Sequence, residues 1–453
     1  MVTFTSLTFI LRFLTTFLFV YYLFPKKFQN TILFIGSLIF YGMGQWKLLP
    51  LLLSLTIINF FFGNWLVSAN RKGYASNYKK LRMIFIVGLD VAILVLFKIL
   101  ALNFESVALP LGISFYSFKM ISFQVDCYSG KIKEKSSFMA VAAYFSMFPQ
   151  ITQGPIMRYD QRLFAEARKF SLINLERGME YFCLGFGMKV LLADRLGILW
   201  NEITKIGFDS ISTPLAWMGV YGYSFELYFD FWGYSLMAAG LGVMLGFPFI
   251  ENFQNPYGSK TVGEFYRRWH ISLGTWFRDY IYFPLGGSRT EKGKVIRNLL
   301  IVWLITGLWH GGTINFLIWG LVIGLVIVLE KFVLKSFMEK HGILGRILVL
   351  VGLPITWIIF AIDQLPQLGI YFSKMFGISG TMDFSDAMKY GSIYWSLFVI
   401  GFVLLIPKVG NFLLKEKQGV MKAVQTVALL ILFLVSLYFS AFSNINPFLY
   451  YSF

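Results

Sequence analysis

Long apolar segments constrain this chain more than any other feature of its sequence. Residues 4–24, 83–102 and 423–442 are almost continuously apolar, and a helix of ~20 such residues crosses the hydrocarbon core of a bilayer. Only 14% of the residues are charged, against about one quarter in a soluble domain. The alternation typical of a membrane β-barrel is absent. The sequence therefore predicts an all-α polytopic membrane protein, with residues 4–24 as a retained first helix.

Basic residues between the apolar segments indicate their orientation. The net charge is +17, and in a membrane protein an excess of Lys and Arg is typical of cytoplasmic loops rather than of nucleic-acid binding. Clusters at 26–27, 71–82, 131–135 and 408–422 agree on one topology. It has about eleven transmembrane or re-entrant helices, with the N-terminus and the C-terminus extracytoplasmic. We expect residues 1–453 to form a single membrane domain.

Residues 297–335 form the segment around which the chain is organised. It is apolar, has basic residues at both ends and contains one polar break at 306–313. The apolar part before the break is too short to cross a bilayer. Because both ends favour the cytoplasm, we expect the chain to turn at the glycines and return. His310 then lies at membrane depth, which favours a functional histidine; a structural histidine hydrogen-bonded between helices is the alternative.

Two other segments place polar groups within apolar surroundings. Pro149 and Pro155 interrupt residues 148–156, and irregular backbone is tolerated at membrane depth where protein buries it or water lines it. We interpret this stretch as a re-entrant segment beside a cavity. Glu226 and Asp230 are four residues apart and share one helix face. They either have a functional role or are structural, paired with a buried arginine or capping a backbone break.

Residues 264–280 combine aromatic residues at spacings of three to four with three arginines, Arg267, Arg268 and Arg278. This pattern predicts one amphipathic helix at the cytoplasmic interface, passing into the protein. A plain surface helix is the alternative. His270 falls inside this helix, and a simple interfacial residue is the alternative to a functional one.

Four motifs, in this order, resemble those of the membrane-bound O-acyltransferase (MBOAT) family. They are FPQITQGPIMRY (148–159), YSFELYFDFWGYS (223–235), RRWHISLGTWFRDYIYFPLGG (267–287) and TGLWHGG (306–312). The resemblance is firmest over about residues 30–330, and the C-terminal helices and aromatic tail occupy 345–453. Within the family, the chain is most similar to the bacterial branch typified by the alginate O-acetyltransferase membrane subunit.

The resemblance implies a ring of helices around a central funnel or tunnel. It identifies His310 with the family's near-invariant histidine and His270 with a second conserved one. It also implies an acyl donor arriving from the cytoplasm, an acceptor on the outer side, and a bacterial cell (inner) membrane location. A separate extracytoplasmic acetyltransferase or polysaccharide-modifying protein is the expected partner, besides membrane lipids.

The expected activity is transfer of acetyl from acetyl-CoA for O-acetylation of an exported or cell-wall polysaccharide. His310 is the expected general base, since a buried imidazole stays neutral, and His270 would orient the donor or assist proton transfer. Tyr450 is a candidate acyl relay, with an interfacial aromatic anchor as its alternative. The residues expected to bind the donor or line the tunnel are Arg267, Arg268, Trp269, Arg278, Trp309 and Gln153.

Three alternatives stay open at this point. D-alanyl transfer to teichoic acid would use a carrier-protein donor, a transporter or flippase would use His310 in a proton path, and a scaffold would have no catalysis. We expect no tightly bound cofactor and no metal, because the 3 histidines show no i, i+4 pairing. Cys127 and Cys183 are too far apart in sequence to indicate a metal site.

Overall fold

The computed structural model describes residues 3–104, 107–166 and 168–442. Within these ranges the chain is helical and contains no β-strand; Phe253 and Trp269 form an isolated antiparallel bridge. The all-α prediction is therefore confirmed for the described part of the chain.

Six segments of the described residues are long and apolar enough to cross a bilayer, which is consistent with a multi-pass membrane protein. They are Lys26–Arg71, Ser76–Asn103, Ile314–Phe332, Gly342–Ala361, Ser385–Leu404 and Gly419–Phe442. The first of them contains two helices joined by a 3₁₀ turn at Trp46–Leu48. The predicted count of about eleven membrane segments stays a prediction.

The chain divides into two compact units. The first holds the described residues up to Cys183 together with Ser235–Ile250 and residues 440–442. The first helical segment of this unit is the π-helical stretch Thr8–Leu14, and a 3₁₀ turn occupies Lys26–Phe28. Its helices are α1 (Thr15–Leu23), α2 (Gln29–Gln45), α3 (Leu49–Arg71), α4 (Ser76–Asn103), α5 (Ile113–Tyr128), α6 (Phe138–Ser146), α7 (Phe148–Ile151) and α8 (Gln161–Ala165). The prediction of a single membrane domain is not decided by this division.

The second unit holds Leu184–Tyr234 and Glu251–Phe439. Three helices, α9 (Leu172–Gly187), α11 (Thr213–Met244) and α22 (Gly419–Phe442), contain points of division between the units. The others are α10 (Asp194–Ile206), α12 (Val262–Arg268), α13 (Ile271–Phe277), α14 (Lys292–His310), α15 (Ile314–Phe332), α16 (Lys335–Lys340), α17 (Gly342–Ile347), α18 (Leu353–Ala361), α19 (Leu365–Met375), α20 (Ser385–Leu404) and α21 (Pro407–Leu414). Shorter π-helical and 3₁₀ segments lie at Met188–Ala193, Pro256–Gly258, Arg278–Tyr282 and Leu348–Gly352.

In the first unit, the chain around Pro149 is irregular and buried, as the sequence predicts. The four-residue helix α7 follows a break at Met147, and residues 148–154 are all buried. The Phe148 ring packs on Phe13 and Phe17 at centroid distances of 5.3 and 5.1 Å. These contacts bury irregular backbone within protein, where it is tolerated at membrane depth.

In the second unit, α14 and α15 form the hairpin predicted for residues 297–335. Helix α14 has 19 residues, because it starts at Lys292, within the basic stretch that precedes the apolar run. The turn contains Gly312 at a φ of +74°, in the left-handed region that glycine adopts without penalty. The helices touch where Gly307 faces Gly320. A Cβ added at Gly320 would lie 2.5 Å from the carbonyl oxygen of Trp303.

This contact leads to the first prediction. Replacing Gly320 by Ala should push α14 from α15 and lower the free energy of unfolding by about 2 kcal/mol, the usual cost of overpacking. The measurement is the thermal unfolding midpoint of the purified protein in detergent. Gly293→Ala is the matched control, because a Cβ at Gly293 on the same hairpin meets nothing within 4 Å. Equal midpoints for the two variants would contradict the close approach.

Candidate active site

His310 is the last residue of α14, is 5% exposed, and lies inside a shell of aromatic rings. Its imidazole centroid lies 4.6 Å from Trp309, 5.2 Å from Trp319 on α15 and 5.1 Å from Phe360 on α18. All three contacts are edge-on, the arrangement that aromatic rings prefer. The α14–α15 hairpin and α18 therefore enclose the histidine and limit access of water to it.

The aromatic shell extends from His310 to α12. Trp319 stacks on Trp357 at 5.8 Å, Trp357 lies 5.2 Å from Trp269, and Trp269 stacks on Phe265 at 5.4 Å. The structure thus places Trp269 and Trp309, both predicted as tunnel residues, in one aromatic cluster of the second unit. Trp319 and Trp357 were not predicted. Their spacing in apolar helices does not distinguish them from other core residues.

The predicted single helix over residues 264–280 is wrong, because it breaks at His270. Helix α12 ends at Arg268, α13 begins at Ile271, and His270 between them has a φ of +48°. Such a conformation is uncommon for a residue with a side chain and indicates that its surroundings hold it. The holding contact is with Asn252, whose backbone carbonyl accepts the N–H of Ile271 at 3.0 Å.

The side chain of Asn252 also fixes the imidazole of His270. Its Oδ1 accepts the backbone N–H of Ser272 at 3.1 Å and the Ser272 hydroxyl at 2.8 Å, so this atom is the amide oxygen. The same oxygen lies 3.1 Å from His270 Nδ1, which must then be the protonated ring nitrogen. In the neutral ring Nε2 therefore carries the lone pair. Among the described residues Nε2 has no hydrogen-bond partner.

Both histidine rings lie close to the ring of one tryptophan, Trp309. The Trp309 ring is 4.6 Å from the His310 ring and 6.4 Å from the His270 ring, and Phe231 packs edge-on against His270 at 4.6 Å. His270 lies outside the six membrane-spanning segments, and burial lowers its pKa to about 3. The site thus presents a neutral imidazole with a proton-accepting nitrogen beside a second buried imidazole.

The three arginines predicted to bind the donor have different surroundings. Arg268 forms a salt bridge to Glu264 at 2.5 Å, and Arg278 forms one to its neighbour Asp279 at 2.9 Å. Arg267 alone of the three lines a cavity of about 1070 Å³. Their common role as donor ligands stays a prediction.

Two other predicted site residues lie elsewhere. Gln153 belongs to the first unit and is 1% exposed; its side-chain amide has no hydrogen-bond partner among the described residues. Tyr450 lies outside the described residues. The roles proposed for both therefore stay predictions.

The acids of α11 have a basic partner, but it is a lysine rather than an arginine. Lys189 Nζ lies 2.5 Å from Asp230 Oδ1 and 2.7 Å from Asp194 Oδ1, and the lysine is 3% exposed. This supports the structural interpretation of Asp230. The carboxylate of Glu226 lies against Gly197 on α10. Lys189 itself lies within the apolar run at 188–193, and a charged residue in such a run is the sequence signal for a buried partner.

These features describe a helical membrane protein with two buried histidines in an aromatic shell, and comparison with known proteins assigns its family. The family profile "MBOAT, membrane-bound O-acyltransferase family" matches residues 63–360. The chain belongs to this family and is an acyltransferase. The assignment favours an enzyme over the transporter and scaffold alternatives.

Three relatives illustrate the range of similarity. "Probable alginate O-acetylase AlgI" of Pseudomonas syringae is 36% identical over 82% of this chain and 75% of that protein. "Peptidoglycan O-acetyltransferase" of Helicobacter pylori is 30% identical over 79% of this chain and 75% of that protein. "Teichoic acid D-alanyltransferase" of Bacillus subtilis is 31% identical over 47% of this chain and 56% of that protein. The alginate-type relative supports the branch that the motifs indicate.

The contact between Asn252 and His270 predicts a change in pH dependence. In the native protein His270 has a pKa of about 3, so it stays neutral at any pH used for an assay. Asn252→Asp keeps an acceptor oxygen but adds a negative charge, which raises the pKa of His270. Acyl transfer should then be lost as the pH falls through that higher pKa, with the acidic limb displaced by more than about one pH unit.

The measurement is the acyl-transfer rate against pH for both proteins. Asn252→Leu, which removes the acceptor, should lower the rate at every pH without moving the limb. If the acidic limb of the Asn252→Asp profile coincides with that of the native protein, the protonation state of His270 does not control the acyl-transfer rate.

The buried ion pair predicts an asymmetry between single and double variants. Asp230→Leu leaves Lys189 buried beside Asp194 only, and loss of one partner of a buried pair costs about 3 kcal/mol. The double variant Lys189→Met/Asp230→Leu should recover part of this loss, because the charge of Lys189 is also removed and the one carboxylate left without it, Asp194, has a side chain that is 22% exposed.

Thermal unfolding of the purified variants measures both effects. Glu202→Leu is the control, since it breaks the exposed Lys205–Glu202 pair, which is worth at most about 1 kcal/mol. Failure of the second substitution to restore stability would contradict the structural role of the pair.

Proposed function

We propose that this chain is the membrane acyltransferase of a polysaccharide O-acetylation system. It would move acetyl from cytoplasmic acetyl-CoA across the membrane, for transfer to an exported or cell-wall polysaccharide. The observation that carries the proposal is the extent of similarity to the alginate O-acetylase, 36% identity over 82% of the chain. The similarity to the peptidoglycan O-acetyltransferase supports the same acyl group and class of acceptor.

In the proposed reaction His310 accepts the proton of an acceptor hydroxyl as its oxygen attacks the thioester carbonyl carbon. The carbon–sulfur bond then breaks, coenzyme A leaves as the thiol after taking up a proton, and an oxygen ester forms. General-base catalysis of this kind contributes about 10²–10⁴-fold. The rings of Trp309, Trp319 and Phe360 around His310 support the role, because a dry site keeps water from taking the acyl group.

His270 is proposed as the second proton-transfer group or as the residue that orients the donor. Its fixed tautomer supports this role, since Nδ1 is held by Asn252 and Nε2 is left as the acceptor. Trp269 and Trp309 would form the walls between the two histidines. Their place in one aromatic cluster with His310 agrees with that assignment.

The remaining proposals concern donor entry and acyl exit. Arg267, Arg268 and Arg278 would meet the phosphates of acetyl-CoA on the cytoplasmic side. Gln153 would line the tunnel, and its buried, unsatisfied amide fits a group awaiting a polar ligand. Tyr450 would take the acyl group at the outer mouth and pass it on.

The proposed setting is the bacterial inner membrane. About eleven transmembrane or re-entrant helices would surround a central funnel as one domain, with both termini extracytoplasmic. A separate extracytoplasmic acetyltransferase would complete the transfer to the polysaccharide. The matched share of the teichoic acid D-alanyltransferase, 47% of this chain, makes D-alanyl transfer from a carrier protein the second candidate.

The test is acetyl transfer from radiolabelled acetyl-CoA in proteoliposomes. His310→Ala should lower the transfer rate by at least about 100-fold through loss of the general base. His341→Ala is the matched control and should keep the native rate, because His341 is exposed in the loop between α16 and α17.

Each outcome of this assay decides between candidates. Label that reaches an acceptor or the protein only when His310 is intact supports the acetyltransferase. Transfer from an aminoacyl carrier protein, with acetyl-CoA left unused, would replace it by the D-alanyltransferase. Equal rates for the His310 and His341 variants would remove His310 from the mechanism.

A further inference from the structure

A wide cavity lies at the C-terminal, basic end of α15, and neither His270 nor His310 lines it. It has a volume of about 1070 Å³ and lies among α12, α15, α16 and α17. Five basic residues line it: Lys260, Arg267, Lys331, Lys335 and Arg346. Among the residues whose side chains the structure describes, two acidic residues line it, Glu264 and Glu330. The cavity therefore carries an excess of positive charge.

Both acids are already engaged in contacts that hold the cavity together. The carboxylate of Glu330, 7% exposed, accepts the backbone N–H groups of Val262 at 2.7 Å and Gly263 at 2.9 Å. Glu264 forms a salt bridge to Arg268 at 2.5 Å, a base outside the cavity lining. In the described part of the chain none of the five lining bases forms a salt bridge.

The wall of the cavity depends on a glycine. An added Cβ at Gly345 on α17 would overlap the carbonyl oxygen of Lys260, so only glycine allows this approach. The approach brings Arg346, the next residue, to the same cavity as Lys260 and Arg267. The five bases are solvent-exposed, and this packing brings them to one cavity. Like charges gathered in this way repel one another, and a bound anion would relieve that repulsion.

Apolar side chains lie exposed beside these charges. Val333, Ile343 and Ile347 are 66%, 75% and 51% exposed. Lys331 and Lys335 lie at the end of the membrane segment Ile314–Phe332, and Arg346 lies in the first turns of Gly342–Ala361. Basic side chains at the ends of apolar spans lie at the depth of lipid headgroups, where they attract anionic phosphates.

We propose that this basic cavity binds a phosphate-bearing ligand at the membrane surface. The phosphate belongs either to the headgroup of an acidic phospholipid or to the diphosphate of coenzyme A. Lys335 and Arg346 hold it from α16 and α17, and Arg267 holds it from α12. The nucleotide source rests on the proposed acetyl-CoA donor, whereas the lipid source does not.

The experiment compares two double variants of the full chain in neutral detergent. Lys335→Gln/Arg346→Gln removes two bases of the cavity. Lys408→Gln/Lys415→Gln removes two exposed bases that do not line it, so the net charge changes equally. Titration calorimetry measures binding of coenzyme A, and native mass spectrometry measures retention of phosphatidylglycerol against phosphatidylcholine.

The two sources give different results. A dissociation constant for coenzyme A at least about tenfold higher in the cavity variant than in its control, as loss of charge-assisted hydrogen bonds predicts, assigns the cavity to the nucleotide. Selective loss of phosphatidylglycerol, with coenzyme A binding unchanged or not detectable, assigns it to the lipid. Wild-type values for both ligands in the cavity variant, or no binding of either ligand to the native protein, would overturn the proposal.

A charge-preserving variant separates ligand binding from folding. Lys335→Arg/Arg346→Lys should bind like the native protein, and weak binding by this variant would argue against a site based on charge. The outcome does not depend on acetyl transfer. A native protein that binds phosphatidylglycerol through the cavity and transfers no acetyl group would refute the proposed function and leave this site intact.

Discussion

The contact between α14 and α15 at Gly307 and Gly320 is the constraint on which the site depends. Without side chains at these positions, the backbones approach until a Cβ on Gly320 would meet the carbonyl oxygen of Trp303 at 2.5 Å. Within a membrane the hydrophobic effect does not drive helices together, because the lipid tails are themselves apolar. Close packing of this kind is therefore a main source of helix association there. The hairpin that results places Trp319 of α15 edge-on against His310 of α14.

Two buried ionisable groups of the second unit, Lys189 and His270, have different kinds of partner. Lys189 is charged and is held between two carboxylates, because an isolated charge at such a place is costly. His270 instead faces an amide oxygen and aromatic rings, which favours the neutral ring. A neutral imidazole costs less to bury than a charged one and keeps a lone pair for proton transfer. This difference separates a structural charge from a candidate catalytic group.

The sequence predicted those structural features that depend on residues close together in the chain. The apolar helices, the hairpin at Gly312 and the irregular stretch around Pro149 follow from composition and from Gly and Pro, and each is found, although the first helix, Thr8–Leu23, is shorter than the six candidate membrane spans. The break at His270 was missed, because it is imposed by Asn252, 18 residues away, and leaves the aromatic periodicity of the segment intact. Lys189 was missed for another reason: its charge within an apolar run and the nearby Asp194 were visible in the sequence, and only its partner Asp230 is distant. His310 was selected because an ionisable residue in an apolar hairpin is conspicuous, and the structure shows that it is buried.

Helix α15 links the basic cavity to both histidines. Near its start, Trp319 contacts His310, and near its end Glu330 accepts two N–H groups at the beginning of α12. Helix α12 has only 7 residues and leads directly into Trp269 and His270. A phosphate drawing Arg267 toward the cavity would therefore act on the helix that positions His270. The position of the second histidine depends on the same short helix that lines the cavity, so occupancy of the cavity and alignment of the site share one structural element.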